Sequence, residues 1–177
     1  MSHKVWVYID QFKGQALPAS WEAIGAGKLL AGKLGGGVTA LLFGAGVEKI
    51  AHEAFQYGAD EVLLADDATL DDFRAEPYAS LLSKLAGETA PEVILFPTTT
   101  RGRDIAAMCA VDLHSGVLAD VIALDVQVGG VVATRPIYAG KLLSEVTCSA
   151  RPQLVTLRNR AFARPALEVG RSGTLIR

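Results

Sequence analysis

Four strand-like segments alternate with four helix-like segments up to about residue 113, and this alternation constrains the fold more than any other feature. The strand-like runs are rich in β-branched and aromatic residues, whereas the helical runs carry apolar residues at helical spacing. The predicted strands are residues 4–9, 38–43, 61–65 and 92–96, and the predicted helices begin near Pro18, Val47, Pro77 and Arg103. Repeated strand–helix units predict a parallel sheet with helices on both faces and right-handed crossovers.

The pattern changes after residue 116. The strand-like runs there are joined by short turns and cover residues 117–128, 131–138, 141–148 and 153–158. No helix of ordinary length fits between them, and Gly129-Gly130 is typical of a hairpin. We therefore expect antiparallel strands, added to the sheet edge or folded back over it. From Arg160 the pattern is lost, and residues 161–177 are interpreted as a tail or the beginning of a further domain.

Composition excludes several classes of protein. The 177 residues are 50% hydrophobic and 20% charged, which is typical of one folded globular domain. A net charge of −2 argues against a nucleic-acid binder. No apolar run reaches the ~18 residues of a membrane span, so no membrane insertion is expected. Cys109 and Cys148 lie in apolar patterns and are interpreted as reduced core residues of a cytoplasmic protein.

A turn rich in hydroxyl and guanidinium groups follows the fourth predicted strand. It lies at the carboxyl end of a parallel strand, where α/β sheets place their ligands. The candidate cofactor-binding residues of this turn are Thr99, Thr100, Arg101, Gly102, Arg103 and Asp104. Their hydroxyl, guanidinium and helix N–H groups would bind a nucleotide phosphate or a partner carboxylate. In the alternative interpretation, Thr99 or Thr100 caps the helix and Arg103 pairs with Asp104, so that the turn only stabilises the fold.

A second candidate segment lies at residues 135–141, where a glycine interrupts a predicted strand pair. Arg135, Tyr138, Gly140 and Lys141 are the candidate interface residues, facing another domain or a partner subunit. The alternative is a hairpin turn with solvated charges. The sequence alone leaves both interpretations open.

No catalytic or metal-binding residue is predicted. Residues 25–28, Gly-Ala-Gly-Lys, imitate part of a phosphate loop, but they lie inside a predicted helix and no hydroxyl residue follows the lysine. No pair of histidines or cysteines has metal-ligand spacing. The acids at positions 66, 67, 71 and 72 are interpreted as a solvated loop, with a hard cation or a basic partner as the alternative. A stand-alone enzyme acting on a nucleotide would need a base such as Asp10 or Asp104.

Seven short motifs follow one another between residues 4 and 164. They are Val-Trp-Val-Tyr-Ile at 5–9, Tyr-Gly-Ala-Asp at 57–60, Ala-Glu-Pro-Tyr at 75–78, Thr-Arg-Gly-Arg-Asp at 100–104, Leu-Ala-Asp at 118–120, Thr-Arg-Pro-Ile-Tyr-Ala-Gly at 134–140 and Arg-Pro-Gln-Leu-Val-Thr at 151–156. In this combination and order, the motifs resemble the N-terminal domain of electron-transfer flavoprotein alpha subunits.

The resemblance implies a fold for residues 1–160. It is a three-layer, Rossmann-like α/β domain, similar to adenine-nucleotide hydrolases, with a parallel sheet, helices on both faces and an antiparallel extension. Residues 161–177 would be a tail or the start of a C-terminal FAD-binding domain that this chain lacks. The chain would then be a shortened protein, the product of a split gene or a stand-alone relative.

The resemblance also implies a function and partners. Alpha subunits of this family pair with a beta subunit and carry electrons from acyl-CoA or other flavin dehydrogenases to an acceptor. The FAD of the complex is held mainly by the C-terminal alpha domain, so we expect no cofactor tightly bound to this chain, with AMP left open. The predicted role is a docking scaffold for the beta subunit and the flavin domain, and the isolated chain is expected to form a homodimer. The alternative is a stand-alone adenine-nucleotide-binding module that uses residues 98–104.

Overall fold

A computed structural model describes residues 5–177, so the predicted start of the first strand at Lys4 and the isolated His3 lie outside the described residues. The strands in chain order are β1 (Val5–Tyr8), β2 (Gln11–Phe12), β3 (Gln15–Ala16), β4 (Val38–Gly44), β5 (Glu61–Asp66), β6 (Val93–Pro97), β7 (Val117–Val121), β8 (Ala123–Gln127), β9 (Gly130–Ile137), β10 (Leu142–Val146), β11 (Gln153–Leu157) and β12 (Thr174–Ile176). The helices are α1 (Pro18–Leu34), α2 (Glu48–Gln56), α3 (Ala75–Thr89) and α4 (Thr100–Asp112), with short 3₁₀ turns at Ala68–Leu70 and Tyr138–Gly140.

The main sheet has seven parallel strands in the order β12-β5-β4-β1-β6-β11-β7. The chain proceeds from β1 to β4 and β5 on one side, and then crosses to β6 on the other side of β1. The boundary between β1 and β6 is therefore the topological switch point, at whose carboxyl edge open α/β sheets form a crevice.

Helices cover both faces of this sheet. The side chains of β1 alternate between two apolar cores, because successive residues of a strand point to opposite faces. Val5 and Val7 pack in the core beneath α1 and α2, and Trp6 and Tyr8 pack in the core beneath α3 and α4. The Rossmann-like, three-layer α/β fold predicted from the repeated strand–helix units is confirmed.

The boundaries of the helices follow local chemistry. Proline at the start of α1 sacrifices no helical hydrogen bond, and the helix ends at Gly35 in the left-handed conformation with φ 70°. α3 passes through Gly87 and continues to Thr89. A Cβ atom at Gly87 would meet nothing within 4 Å, so this exposed glycine is tolerated inside the helix at a modest cost.

The part of the chain after residue 116 divides between two sheets. β8, β9 and β10 form a separate antiparallel sheet in the order β10-β9-β8, and Gly129 lies in the turn of the predicted hairpin between β8 and β9. The antiparallel prediction was wrong for residues 117–121 and 153–158, because β7 and β11 belong to the main sheet, where β11 lies in parallel between β6 and β7. All five residues of β11 are buried, so this strand completes the core instead of extending its edge.

Residues 161–177 pack against the rest of the domain, which the sequence did not indicate. β12 adds to the edge of the main sheet beside β5. The Glu168 N–H donates to the Gln56 carbonyl at 2.9 Å, and Arg171 Nη2 lies 2.8 Å from Asp60 Oδ1. A Cβ atom at Gly25 of α1 would lie 2.2 Å from the Ala163 carbonyl oxygen. Gly25, the first glycine of the Gly-Ala-Gly-Lys sequence that imitates a phosphate loop, therefore allows residues 161–177 to pack closely against α1.

Candidate functional site

The turn at residues 98–104 lies at the switch point, where the carboxyl end of β6 leads into α4. Thr99 is the N-cap of α4, and its Oγ1 accepts a hydrogen bond of 2.9 Å from the Gly102 N–H. Gly102 is required there because a Cβ atom would lie 2.3 Å from the Pro97 carbonyl oxygen. The alternative interpretation of Thr99 as the helix cap is thus confirmed.

Arg101 turns back toward the end of β1 and forms an ion pair across the crevice. Its Nε donates to Asp10 Oδ1 at 2.8 Å. The Asp10 side chain is 1% exposed and the Arg101 side chain 21% exposed, so the pair is largely removed from water. The Arg101 guanidinium also lies 5.3 Å from the centre of the Phe12 ring and 5.7 Å from that of Phe73. Such cation–π contacts strengthen when they are shielded from solvent.

Asp10 is fixed by its backbone as well as by Arg101. Its N–H donates to Ser20 Oγ at 2.9 Å, and its carbonyl accepts from the same hydroxyl at 3.0 Å and from the Leu17 N–H at 2.8 Å. Its second carboxylate oxygen, Oδ2, is buried and has no hydrogen-bond partner among residues 5–177. Arg101 is therefore the counter-charge on which the buried Asp10 depends.

A cavity of ≈ 260 Å³ opens on one side of Arg101. Its walls include the rings of Tyr8, Phe12, Phe73 and Tyr78. Burial, and secondarily the nearby Asp10 carboxylate, raises the pKa of Tyr8 well above its ordinary value. The Tyr8 phenol therefore stays protonated, and the carboxylates in this lining are those of Asp71 and Asp72.

Thr99 and Thr100 line a further pocket together with Asp10 and Arg101. Thr100, Arg103 and Asp104 are exposed on the first turn of α4, and the ion pair proposed between Arg103 and Asp104 is not found within the described residues. The structure therefore divides the predicted site, with Thr99 and Gly102 in the helix cap and Arg101 in the crevice. Sequence reasoning missed Arg101's pairing because 91 residues separate it from Asp10.

The second candidate segment forms the connection between β9 and β10. Tyr138 and Ala139 have positive φ angles of 49° and 55°, and Gly140 has φ 85°, which produces a tight reversal. Tyr138 is 75% exposed, and Lys141 is exposed beside it. The hairpin turn predicted as one interpretation is present, and an aromatic side chain projects from it into solvent.

The remaining polar motifs have structural partners. Asp66 accepts hydrogen bonds from the N–H groups of Gly46 and Val47 at the start of α2. Asp67 accepts from the N–H and hydroxyl of Thr69, and these bonds lower its pKa. No group of three histidine, cysteine or acidic residues suited to a metal ion occurs within residues 5–177.

Comparisons with known proteins decide which family this fold belongs to. A family model described as "Electron transfer flavoprotein domain" matches residues 5–177. The chain belongs to the electron-transfer flavoprotein family. The identification from the seven motifs, as the N-terminal domain of an alpha subunit of this family, is thereby confirmed.

Individual relatives agree with the family match. The chain is 41% identical over 177 residues to "Protein FixB" of Azorhizobium caulinodans, covering 97% of this chain and 48% of that protein. It is 38% identical over 161 residues to "Electron transfer flavoprotein subunit alpha" of Clostridium acetobutylicum, covering 89% and 48%. The corresponding protein of Thermoanaerobacterium thermosaccharolyticum is 35% identical over 175 residues, covering 98% and 53%. The chain spans about half the length of the curated relatives it matches.

The described residues do not fit the FAD of this family at the switch point. The cavity of ≈ 260 Å³ is small even for a drug-sized ligand, for which pockets of roughly 300–1,000 Å³ are usual. The acidic side chains of Asp71 and Asp72 line it, and a pyrophosphate would be repelled by them. The connection after β1 is the small β2–β3 hairpin and not a glycine-rich phosphate loop.

An acid–base pair at the end of β7 is a further polar feature that sequence reasoning did not find. Asp120 has φ 60°, and both of its carboxylate oxygens accept hydrogen bonds from Arg158. The hydrogen bond from Arg158 lowers the pKa of Asp120. The Leu-Ala-Asp motif at 118–120 could have drawn attention to Asp120. An aspartate at the end of a strand is a candidate for the left-handed conformation, which Asp120 adopts.

No helix within residues 5–177 has both the length and the apolar character that crossing a bilayer requires.

Proposed function

We propose that this chain is a docking scaffold of an electron-transfer flavoprotein alpha subunit. It would hold the beta subunit and support the flavin-carrying part of the complex, without a catalytic residue of its own. The names of its relatives support the subunit assignment. Electron transfer depends on where the flavin is positioned, which is the contribution that a rigid scaffold can make.

The observation that carries the proposal is the exposed outer edge of the small antiparallel sheet, where Leu142 and Leu143 project on opposite sides of β10. β10 is the outer strand of this sheet and has no strand on its other side within the described residues. Leu142 and Leu143 on β10 are 55% and 65% exposed, and Tyr138 is 75% exposed in the adjoining turn. We call these three side chains, together with Lys141, the docking face. An open strand edge bearing exposed aromatic and aliphatic side chains is suited to a protein partner.

The wider assembly is proposed on the same basis. The partner of the docking face would be the beta subunit, and the complex would take electrons from acyl-CoA or other flavin dehydrogenases. Its FAD would be held mainly by parts of the alpha subunit outside this chain. The free thiols of Cys109 and Cys148 suit a reducing compartment such as the cytoplasm.

The rival function, an adenine-nucleotide module built on residues 98–104, is less favoured. Thr99 is engaged as a helix cap and Arg101 as the partner of Asp10, so neither is free to bind a phosphate. Asp10 would also add a buried negative charge near any phosphate at the crevice.

The docking proposal is tested by titrating the chain with purified beta subunit and measuring the dissociation constant. Leu143→Asp places a charge in the middle of the docking face and should weaken binding about 100-fold, as expected for a central contact. Leu29→Asp is the matched control, because Leu29 is equally exposed (65%) but lies on α1. It should bind as the unchanged chain does.

The opposite results would contradict the proposal. Absence of a complex with the unchanged chain, or equal binding by the Leu143→Asp variant, would exclude the docking face. Without its partner, the same exposed surface should make the chain dimerise, as measured by light scattering. We expect Leu143→Asp to shift that equilibrium to the monomer.

A further inference from the structure

Three arginines from three different elements surround Asp120 at the carboxyl end of β7. Arg158 follows β11, Arg135 lies on β9, and Arg103 lies on the first turn of α4. They supply three positive charges around one carboxylate, which leaves an excess of positive charge. The contacts of each arginine indicate which of them is available to a ligand.

Arg158 is already committed to Asp120. Its Nε donates to Oδ1 at 2.9 Å, and its Nη2 donates to Oδ2. The backbone supports this fork, because the Arg158 N–H donates to the Val121 carbonyl and the Asp120 N–H donates to Thr156 Oγ1. The Asp120–Arg158 pair is therefore held in place, and the other two arginines lie beside it.

Arg135 is held beside the Asp120–Arg158 pair by the corner between β7 and β8. The Ile122 N–H donates to the Thr134 carbonyl at 2.9 Å, which brings β9 against the chain just after Asp120. Arg135 is half-buried, and its Nε is fully buried with no acceptor among residues 5–177. A buried guanidinium N–H without an acceptor is costly, so a small side-chain movement that brings this donor to a partner's acceptor would be favoured.

Arg103 approaches from the other side. The Thr98 N–H donates to the Leu157 carbonyl at 2.9 Å, so the start of α4 lies beside the residue that precedes Arg158. After the hydrogen bond from Arg158, the charges of Arg135 and then Arg103 further lower the pKa of Asp120. The guanidinium groups of Arg135 and Arg103 therefore both act on the Asp120 carboxylate.

We propose that Arg135, flanked by Arg103 and Arg158, binds a carboxylate side chain of the beta subunit. The inference rests on the proposed docking function and specifies the chemistry of the partner at one point of the interface. A guanidinium presents parallel N–H donors that match the two oxygens of a carboxylate. β9 runs directly from Arg135 into the turn that carries Tyr138, so the cluster and the docking face are continuous.

A protein carboxylate fits better than a free anion. Arg103 and Arg158 are exposed, and water competes strongly for an isolated ion at an open site. A carboxylate that arrives on a docked subunit is presented at a high effective concentration, which offsets that competition.

The test compares arginine variants for binding to purified beta subunit at low and high salt. Arg135→Gln should weaken binding about 10- to 100-fold at low salt and reduce its salt dependence. Circular dichroism should show that the variant remains folded, with at most a small fall in melting temperature, because Arg135 also interacts with the Asp120 carboxylate. Arg135→Lys should recover part of the affinity, since it restores the charge but not the fork. Arg74→Gln, an exposed arginine next to α3, is the matched control and should bind normally.

Each outcome bears on a different claim. If the unchanged chain does not bind the beta subunit, the docking function fails and this inference fails with it. If the unchanged chain binds and Arg135→Gln binds equally well, only the carboxylate site is excluded. If inorganic phosphate at constant ionic strength displaces the beta subunit from the unchanged chain but not from Arg135→Gln, phosphate and the subunit compete for Arg135, which supports an anionic group of the subunit as its ligand.

Discussion

The crevice at the switch point and the docking face differ in whether their side chains contact other residues of the chain or are exposed to solvent. At the crevice, Arg101 pairs with buried Asp10 and lies against Phe12 and Phe73. At the docking face, Leu143 is largely exposed, and the nearby Arg135 has a buried Nε without an acceptor. In the first region the charged side chains pair with each other, although a cavity opens beside Arg101 and Asp10 Oδ2 has no hydrogen-bond partner among residues 5–177. In the second region apolar side chains are exposed to solvent.

This difference is the basis for proposing the docking face, and not the crevice, as the surface that contacts a partner. In many α/β proteins the switch point binds the ligand, but here an arginine from the binding turn occupies it. The residues that look most like a phosphate site therefore stabilise the fold. The hairpin between β9 and β10 carries exposed apolar side chains, and Arg135 on β9 has one buried N–H without an acceptor. A second protein could use both features.

The largest expected effect comes from opening the crevice. Arg101→Gln leaves the Asp10 carboxylate buried without a cation, which should lower the free energy of unfolding by about 3–5 kcal/mol. Thermal melting followed by circular dichroism measures this loss. Arg103→Gln, two residues along the same helix and exposed, should change stability by no more than about 0.5 kcal/mol. Equal melting of the two variants would mean that the Asp10–Arg101 pair does not close the crevice.

A smaller effect is expected where residues 161–177 pack on α1. Gly25→Ala would place a Cβ atom 2.2 Å from the Ala163 carbonyl oxygen, and we expect a loss of about 1–3 kcal/mol as the segment is displaced. Gly32→Ala on the same helix meets nothing within 4 Å and should gain up to about 1 kcal/mol. Chemical denaturation of both variants tests this. A stabilised Gly25→Ala protein would show that the segment does not rest on α1.

The smallest effect concerns the pH dependence of the Asp120–Arg158 pair. The folded-state pKa of Asp120 lies below its ordinary value because Arg158 donates to it. The pair therefore stabilises the fold above the ordinary aspartate pKa, and this stability is lost as pH falls through the lowered folded pKa. Both side chains are more than a third exposed, so solvent screening limits the effect to below about 1 kcal/mol.

Asp120→Asn measures that contribution directly. The melting temperature of the unchanged protein should exceed that of the variant slightly at pH 7, and the difference should vanish in acid. A difference that grows as pH falls would have the wrong sign for a carboxylate stabilised in its charged form.

The sequence predicted the parallel part of the fold because its strand and helix periodicities are local. It did not predict that β11 inserts between β6 and β7, because periodicity identifies a buried strand but not its neighbours. It missed β12, whose three residues, Thr174–Ile176, are too few for a pattern. The helix cap at Thr99 was foreseen from composition and position, whereas the Asp10–Arg101 pair depends on β1 and β6 being adjacent.

Hydrogen–deuterium exchange of the chain with and without the beta subunit compares the two regions in one measurement. If the docking face binds the beta subunit, we expect slower exchange at the amides of β10 (Leu142–Val146) and the preceding turn, and unchanged exchange at residues 98–102. Slower exchange at residues 98–102 with β10 unaffected would contradict this expectation, because the partner would then engage the crevice and not the docking face.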